Sequence, residues 1–228
     1  MIPAPDGEAE LTIHPLADTG LLFQLGAQTS TALTRRIAAL TAALDAAALP
    51  GLIDLVPSYT TLMLTLDPAL ADPAAIAMTA RHFWLKAAAT QPAPGRQVTI
   101  PVIYGGERGP DLGDVAAHTG LSSEEVIARH AGATYTVVCL GFAPGFAFLT
   151  GLPPELETPR LAKPRTHVPA GSVGIGGVQT GIYPLTTPGG WRLIGYTPSI
   201  LFDPDRAEPF LLQAGDEVRF EPSGAPAE

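Results

Sequence analysis

Residues 171–181 read GSVGIGGVQTG, five glycines in eleven positions, with prolines around them at 169, 184, 188 and 198. No helix survives that density, since an interior glycine costs a helix about 1 kcal/mol and a proline about 3 kcal/mol relative to alanine. Short strands joined by tight turns remain, with glycine where a strand kinks, bulges or meets another backbone closely. Glycine runs also cradle phosphates, but the neighbouring residues fit neither phosphate motif. A phosphate loop of the G-x-x-x-x-G-K-[ST] type needs a lysine that reaches the phosphates, whereas Gly177 and Val178 follow Gly176 here. A dinucleotide fingerprint needs glycine at position 179 and a helix after it; the sequence has Gln179 and continues as turn and strand. The segment is therefore expected to be barrel backbone whose thinness lets a ligand or a second protein come close.

The rest of the second half agrees. A strand, QVTIPVIY, is followed by two short helical segments, the second opened by Ser122 and Glu125 as a capping box. The segments TYTVVCLGF, HVPAGSVGI, VQTGIYPL, WRLIGYTP and DEVRF then alternate with turns. Many short strands with Gly/Pro punctuation predict a closed or nearly closed barrel. The first half follows another pattern. LTIHPLA and GLLFQLG are strands around a turn at 18–20, and a helix presents Leu33, Ile37, Leu40 and Leu44 on one face behind Thr29 or Ser30. Two more strands follow, GLIDLVPSYTTLMLTLD, and then a helix capped by Asp72 whose buried face is expected at Ile76, Ala80, Phe83 and Ala87. The ββαββα order predicts an antiparallel sheet with both helices on one face. The fold class is thus an α+β N-terminal two-layer sandwich, residues 1–92, followed by a mainly β barrel, residues 93–228, with TQPAPGRQ (90–97) as the boundary.

Charge narrows the functions. The net charge of −9 disfavours nucleic acid as a partner. No apolar run approaches the ~20 residues of a membrane helix. One cysteine, Cys139, permits no internal disulfide, and MIPAPDGEAE is not a secretory signal, so a cytoplasmic protein is expected. Cys139 is read as a core residue in an apolar strand, and the histidines show no metal-binding spacing, so no metal site is expected. His82 and His130 are read as surface or boundary positions on helices. Phe142, Phe146 and Phe148 are read as core or subunit-contact residues.

Polar chemistry collects beside the glycines. Arg160, Lys163, Arg165 and His167 precede them, and Ser172, Gln179, Thr180, Tyr183 and Trp191 lie within or after them. Arg165 can clamp a carboxylate or phosphate through two parallel hydrogen bonds, and an imidazole such as His167 is the side chain that ordinarily shuttles protons near neutrality. His167 and Arg165 are the candidate catalytic residues. Ser172, Gln179, Thr180, Tyr183, Arg160 and Lys163 are candidates for substrate binding.

Four stretches, IPVIYGGERGPDL, LGFAPGFAFLTGLP, TPRLAKPRTHVPAGSVGIGGVQTGIYPLTTPGGWRLIG and SILFDPDRAEPFLLQAGDEVRF, resemble the family of the 5-oxoprolinase B subunit. That family is also known as allophanate hydrolase subunit 1, or the carboxyltransferase C/D subdomain. The resemblance runs from about residue 98 to 220. It implies a cyclophilin-like barrel and a cytoplasmic complex with the 5-oxoprolinase C subunit (the carboxyltransferase A/B half) and the 5-oxoprolinase A subunit. Together these hydrolyse 5-oxo-L-proline to L-glutamate with ATP cleavage. Having no phosphate loop, the chain is expected to supply one wall of a shared site and to be inactive alone. Two alternatives accompany the resemblance: a KipI-like binder that inhibits a sensor histidine kinase, and a carboxyltransferase-type half acting on another amide such as urea or allophanate. Tyr196 stands where many relatives are expected to carry a basic residue, so any cation needed there must come from elsewhere, Arg165 or Arg192.

Overall fold

The computed structural model describes residues 11–89 and 95–224. The first ten residues and most of the expected boundary segment, 90–94, lie outside the described residues. The chain forms two compact units, Met1–Pro94 and Gly95–Glu228.

In the first unit, β1 (Thr12–Leu16) and β2 (Gly20–Gln24) form a hairpin, followed by α1 (Thr31–Ala46), β3 (Leu52–Pro57), β4 (Thr61–Leu66) and α2 (Pro73–Ala89). The sheet is antiparallel throughout, in the order β1-β2-β4-β3. Alternation puts Leu21, Phe23, Leu62, Leu64 and Leu66 on one face, where they pack against Ile37, Leu40 and Leu44 of α1 and Ile76, Ala80 and Trp84 of α2. Ser30 caps α1 by accepting from the Leu33 amide at 3.1 Å, and Asp72 accepts from the first amides of α2. Trp84, not Ala87, completes the buried stripe of α2, and Phe83 is only partly buried. A large ring one position on reaches the core, and the Arg36 guanidinium lies 3.6 Å above its centroid.

The second unit runs β5 (Gln97–Tyr104), α3 (Leu112–Thr119), α4 (Ser123–Gly132), β6 (Tyr135–Leu140), β7 (Ala147–Thr150), β8 (Arg165–Val168), β9 (Ser172–Gly176), β10 (Gln179–Ile182), β11 (Thr187–Gly189), β12 (Arg192–Tyr196) and β13 (Glu217–Pro222). Seven strands close a barrel in the order β10-β7-β6-β13-β5-β12-β9. Only the β5–β13 pair in it is parallel. Strands β8 and β11 form a separate two-stranded ribbon. The segment read as one strand, HVPAGSVGI, therefore divides at 169–171 into a ribbon strand and a barrel strand. Gly171 makes the corner at φ +83°, with its amide bonded to the Tyr183 carbonyl. The Ser122–Glu125 capping box opens α4 as expected, and Cys139 is buried.

His130 corrects the surface assignment, being fully buried at the end of α4. Its Nδ1 lies 2.8 Å from the Tyr104 hydroxyl on β5, and its Nε2 lies 2.9 Å from Thr180 Oγ1 on β10. The Thr180 hydroxyl spends its only proton on the Gly174 carbonyl, 2.9 Å away. It must therefore accept from Nε2–H, which leaves Nδ1 to accept from Tyr104. The ring stacks on Phe220 with centroids 4.6 Å apart. One imidazole thus joins two strands that are not neighbours in the barrel.

Candidate functional site

The ribbon positions the two residues that sequence reasoning ranked highest. Arg165 opens β8 opposite Gly189 of β11. Arg165 and His167 share one face of the strand by alternation, and both line a pocket of about 140 Å³. Ser172, at the start of β9, joins them there, with Leu193 and Tyr196 of β12 as another wall. The third wall is the segment between β5 and α3, which contributes Glu107, Arg108 and Pro110.

Asp111 organises this site from behind. It is only 4% exposed and sits at the start of α3. One carboxylate oxygen accepts from Arg165 Nη2 at 2.6 Å, and the other accepts from the Leu193 amide at 2.6 Å. Its own amide donates to the Leu193 carbonyl at 2.9 Å. A single side chain therefore fixes the ribbon arginine relative to β12. Arg165 Nη1 is buried and, among the described residues, has no hydrogen-bond partner. A buried guanidinium N–H left without a partner is costly.

The cation expected near Tyr196 comes from Arg108, whose guanidinium carbon lies 4.4 Å from the Tyr196 ring centroid. Arg192 is engaged elsewhere, donating to Asp114 at 2.7 Å. Sequence reasoning missed Arg108 and Asp111, although both lie in YGGERGPDL. The available signal was that two glycine-flanked charges precede a helix start, in a stretch too short and irregular to be a solvated helix face.

The other proposed ligands are not gathered at this pocket. Thr180 is fully buried and its hydroxyl is committed to His130 and Gly174. This corrects its assignment to substrate binding. Tyr183 is 2% exposed and stands among Phe146, Val168 and Trp191, where burial raises its phenol above the ordinary range. It too is a packing residue in the chain as described. Gln179 is half-buried in the β9–β10 hairpin, and Arg160 and Lys163 are exposed on the loop before β8, Arg160 lying 5.6 Å from the Trp191 ring centroid.

The glycines face rings from their own chain. A Cβ on Gly176 would come within 2.5 Å of the Trp191 indole, and one on Gly181 within 3.0 Å; on Gly189 it would meet the Tyr183 hydroxyl. Within 171–181 the faces of Gly176 and Gly181 thus receive the Trp191 indole. An apolar surface lies on the loop between β6 and β7. There Phe142 is 64% exposed at φ +68° and lines a depression of about 370 Å³ together with Pro144 and Phe210. No described helix is long and apolar enough to cross a membrane.

Residues 11–212 match the family described as carboxyltransferase domain, subdomain C and D. The 5-oxoprolinase B subunit from Escherichia coli O157:H7 is 49% identical over 178 residues, which cover 76% of this chain and 79% of that protein. Its counterpart of the same name from Bacillus subtilis (strain 168) is 40% identical over 218 residues, 91% of each. Among solved structures, TTHA0988 superimposes with a TM-score of 0.80 at 43% identity over 91% of this chain. The chain spans 40% of that longer protein.

Proposed function

The chain belongs to the carboxyltransferase subdomain C and D family, and from that premise we propose that it is the B subunit of an ATP-dependent 5-oxoprolinase, which opens 5-oxo-L-proline to L-glutamate. Its partners in this reading are the C subunit, which is the carboxyltransferase A/B half, and the A subunit. The observation that carries the reading is the convergence of Arg165, His167 and Ser172 on one pocket, in a chain 40–49% identical to proteins bearing that name.

A lactam carbonyl is a poor electrophile because the ring nitrogen shares its lone pair with it. Phosphorylating the amide oxygen turns it into a leaving group. Water then adds to the carbon, the C–N bond breaks as the nitrogen takes a proton, and a second water displaces phosphate from the resulting acyl phosphate to leave the carboxylate. Such a site needs a hold on the substrate, donors for developing negative charge and a group that moves protons. Arg165 supplies the hold and His167 the proton-transferring group. The pocket does not fit a nucleoside triphosphate, because it is small, Glu107 lines it and its Arg165 is already paired with Asp111. Phosphoryl chemistry is therefore assigned to the partner proteins, and this chain to one wall of a shared site.

The test mixes the purified chain with both partners and follows ATP-dependent glutamate release. The expected result is turnover by the mixture and none by this chain alone. Arg165→Ala and His167→Ala should each reduce the rate by about a hundredfold or more, with circular dichroism unchanged. Full activity in both variants, or turnover by the isolated chain, overturns the reading.

A further inference from the structure

Two arginines line the pocket, and each is held by a different device. Arg165 is fixed through Nη2 by buried Asp111, with Nη1 buried and unmatched among the described residues. Arg108 is laid flat on the Tyr196 ring. Against these two positive charges stand two negative ones, the Asp111 carboxylate on Arg165 and Glu107 at the pocket itself. Formal charge around the cavity therefore sums to about zero before His167 is considered. A phosphate dianion gains most where several cations converge without counter-charges. Here it would meet Glu107 and find half of Arg165 already neutralised. A monoanion of the carboxylate class needs only directed donors and one unit of compensation, which the half-buried Arg165 and the exposed Arg108 lining the pocket can offer. Leu193 and the prolines at 110 and 169 give the remainder of the cavity an apolar lining suited to a small ring.

We propose that this pocket is a monocarboxylate subsite selective against phosphate, with Arg165 and Arg108 as its binding cations and Asp111 as the positioning residue that aims Arg165. Resting on the lactam-hydrolase reading, the occupant is the carboxylate end of 5-oxo-L-proline, and the amide end faces the pocket mouth, where the partner proteins act. The ATP-derived phosphoryl group is handled outside this pocket.

The experiment titrates the full isolated chain by ligand-observed NMR and calorimetry with three probes: 5-oxo-L-proline, 2-pyrrolidinone (the same ring without the carboxylate) and inorganic phosphate. One charge-assisted contact in a small pocket predicts a millimolar Kd for 5-oxo-L-proline. Binding of 2-pyrrolidinone and of phosphate should each be at least about tenfold weaker, ~1.4 kcal/mol. Arg165→Gln should weaken carboxylate binding by about tenfold or more, with Arg165→Lys between it and the parent. Glu107 is exposed, so Glu107→Gln keeps the fold. It should raise phosphate affinity several-fold while changing that for the carboxylate less. Asp111→Asn should shift the preference the same way and also lower carboxylate affinity, a change in ratio that simple loss of structure does not produce. Phosphate binding as tightly as 5-oxo-L-proline, equal binding of 2-pyrrolidinone, no detectable carboxylate binding, or indifference to both Arg165→Gln and Glu107→Gln overturns the subsite. The two readings fail separately. Arg165-dependent carboxylate binding without lactam hydrolysis by the assembled complex sinks the enzyme assignment alone. Hydrolysis with any of the four overturning results sinks the subsite alone.

Discussion

His130 is a titratable group placed where its charged form has no support. Complete burial holds its pKa down at about 3, against an ordinary value near 6.5. Both ring nitrogens are already committed, one as acceptor from Tyr104 and one as donor to Thr180. The folded state thus keeps the imidazole neutral, whereas the unfolded chain protonates it once pH falls below about 6.5. Its contribution is fully present above that value and is lost progressively as pH drops towards 3. At about 1.4 kcal/mol per pH unit, the loss reaches several kcal/mol. Urea midpoints measured from pH 7.5 down to 4 should decline steadily for the parent. His130→Gln should start lower at pH 7.5, having lost the Phe220 stack, but decline more gently below pH 6.5. Parallel pH profiles would remove His130 as the cause. Sequence could not have located this residue, because its partners lie 26 and 50 positions away. A histidine on a short amphipathic helix looks the same whether its helix end faces water or plugs a barrel. Arg165 and His167 were legible as part of a polar cluster beside the glycines, although the strand that puts both on one face starts two residues before the expected HVPAGSVGI.

Strands β9 and β10 show what the glycine-rich stretch does. Gly174 and Gly181 face each other across the hairpin, and Gly176 sits opposite Gln179. Together these glycines leave a shallow floor on which the Trp191 indole lies, with Phe146 edge-on to it at 5.5 Å. A methyl group on Gly176 would press on an indole already packed edge-to-face with Phe146 and Phe148. Gly176→Ala should therefore cost about 1–3 kcal/mol as overpacking, read as a lowered urea midpoint with unchanged slope. Gly177→Ala tests only backbone strain at φ +67°, since nothing lies within 4 Å of the position. It should cost about 1 kcal/mol. Equal costs at the two sites would mean that conformation, not the indole, requires glycine at 176. Glycine density thus announced strands and close approach in the sequence, but not what approaches. Two elements also escaped notice, β7 with four residues and β11 with three. At that length period-two alternation has too few repeats to stand out, and pairing partners decide whether a strand forms.

The two units have separate hydrophobic cores and differ in the titratable groups they bury. Among the described residues, the first unit buries Thr34 and Arg36 as its only polar or charged side chains, with no histidine or carboxylate. The second buries the carboxylates of Asp111, Asp216 and Glu217 and, in its neutral form, His130. The contrast in pattern that divided the sequence, helices alternating with paired strands before residue 90 and short Gly/Pro-broken strands after it, is thus matched by a difference in buried titratable groups that no local pattern displayed. Each unit also contains one of the two tryptophans, Trp84 in the first core and Trp191 in the barrel, both 4% exposed. Trp84→Phe leaves a reporter of the barrel, and Trp191→Phe leaves a reporter of the sandwich. Lowering pH at a fixed sub-denaturing urea concentration should red-shift Trp191 emission at a higher pH than Trp84 emission, because only the barrel has an unfolded state that gains a proton on His130. Adding His130→Gln to the Trp84→Phe chain, at a urea concentration rescaled to its lower midpoint, should move the Trp191 transition to lower pH. Trp84 emission should be insensitive to the same change. Coincident transitions of both reporters, with and without His130, would show that the molecule unfolds as one body and that its response to acid has another origin.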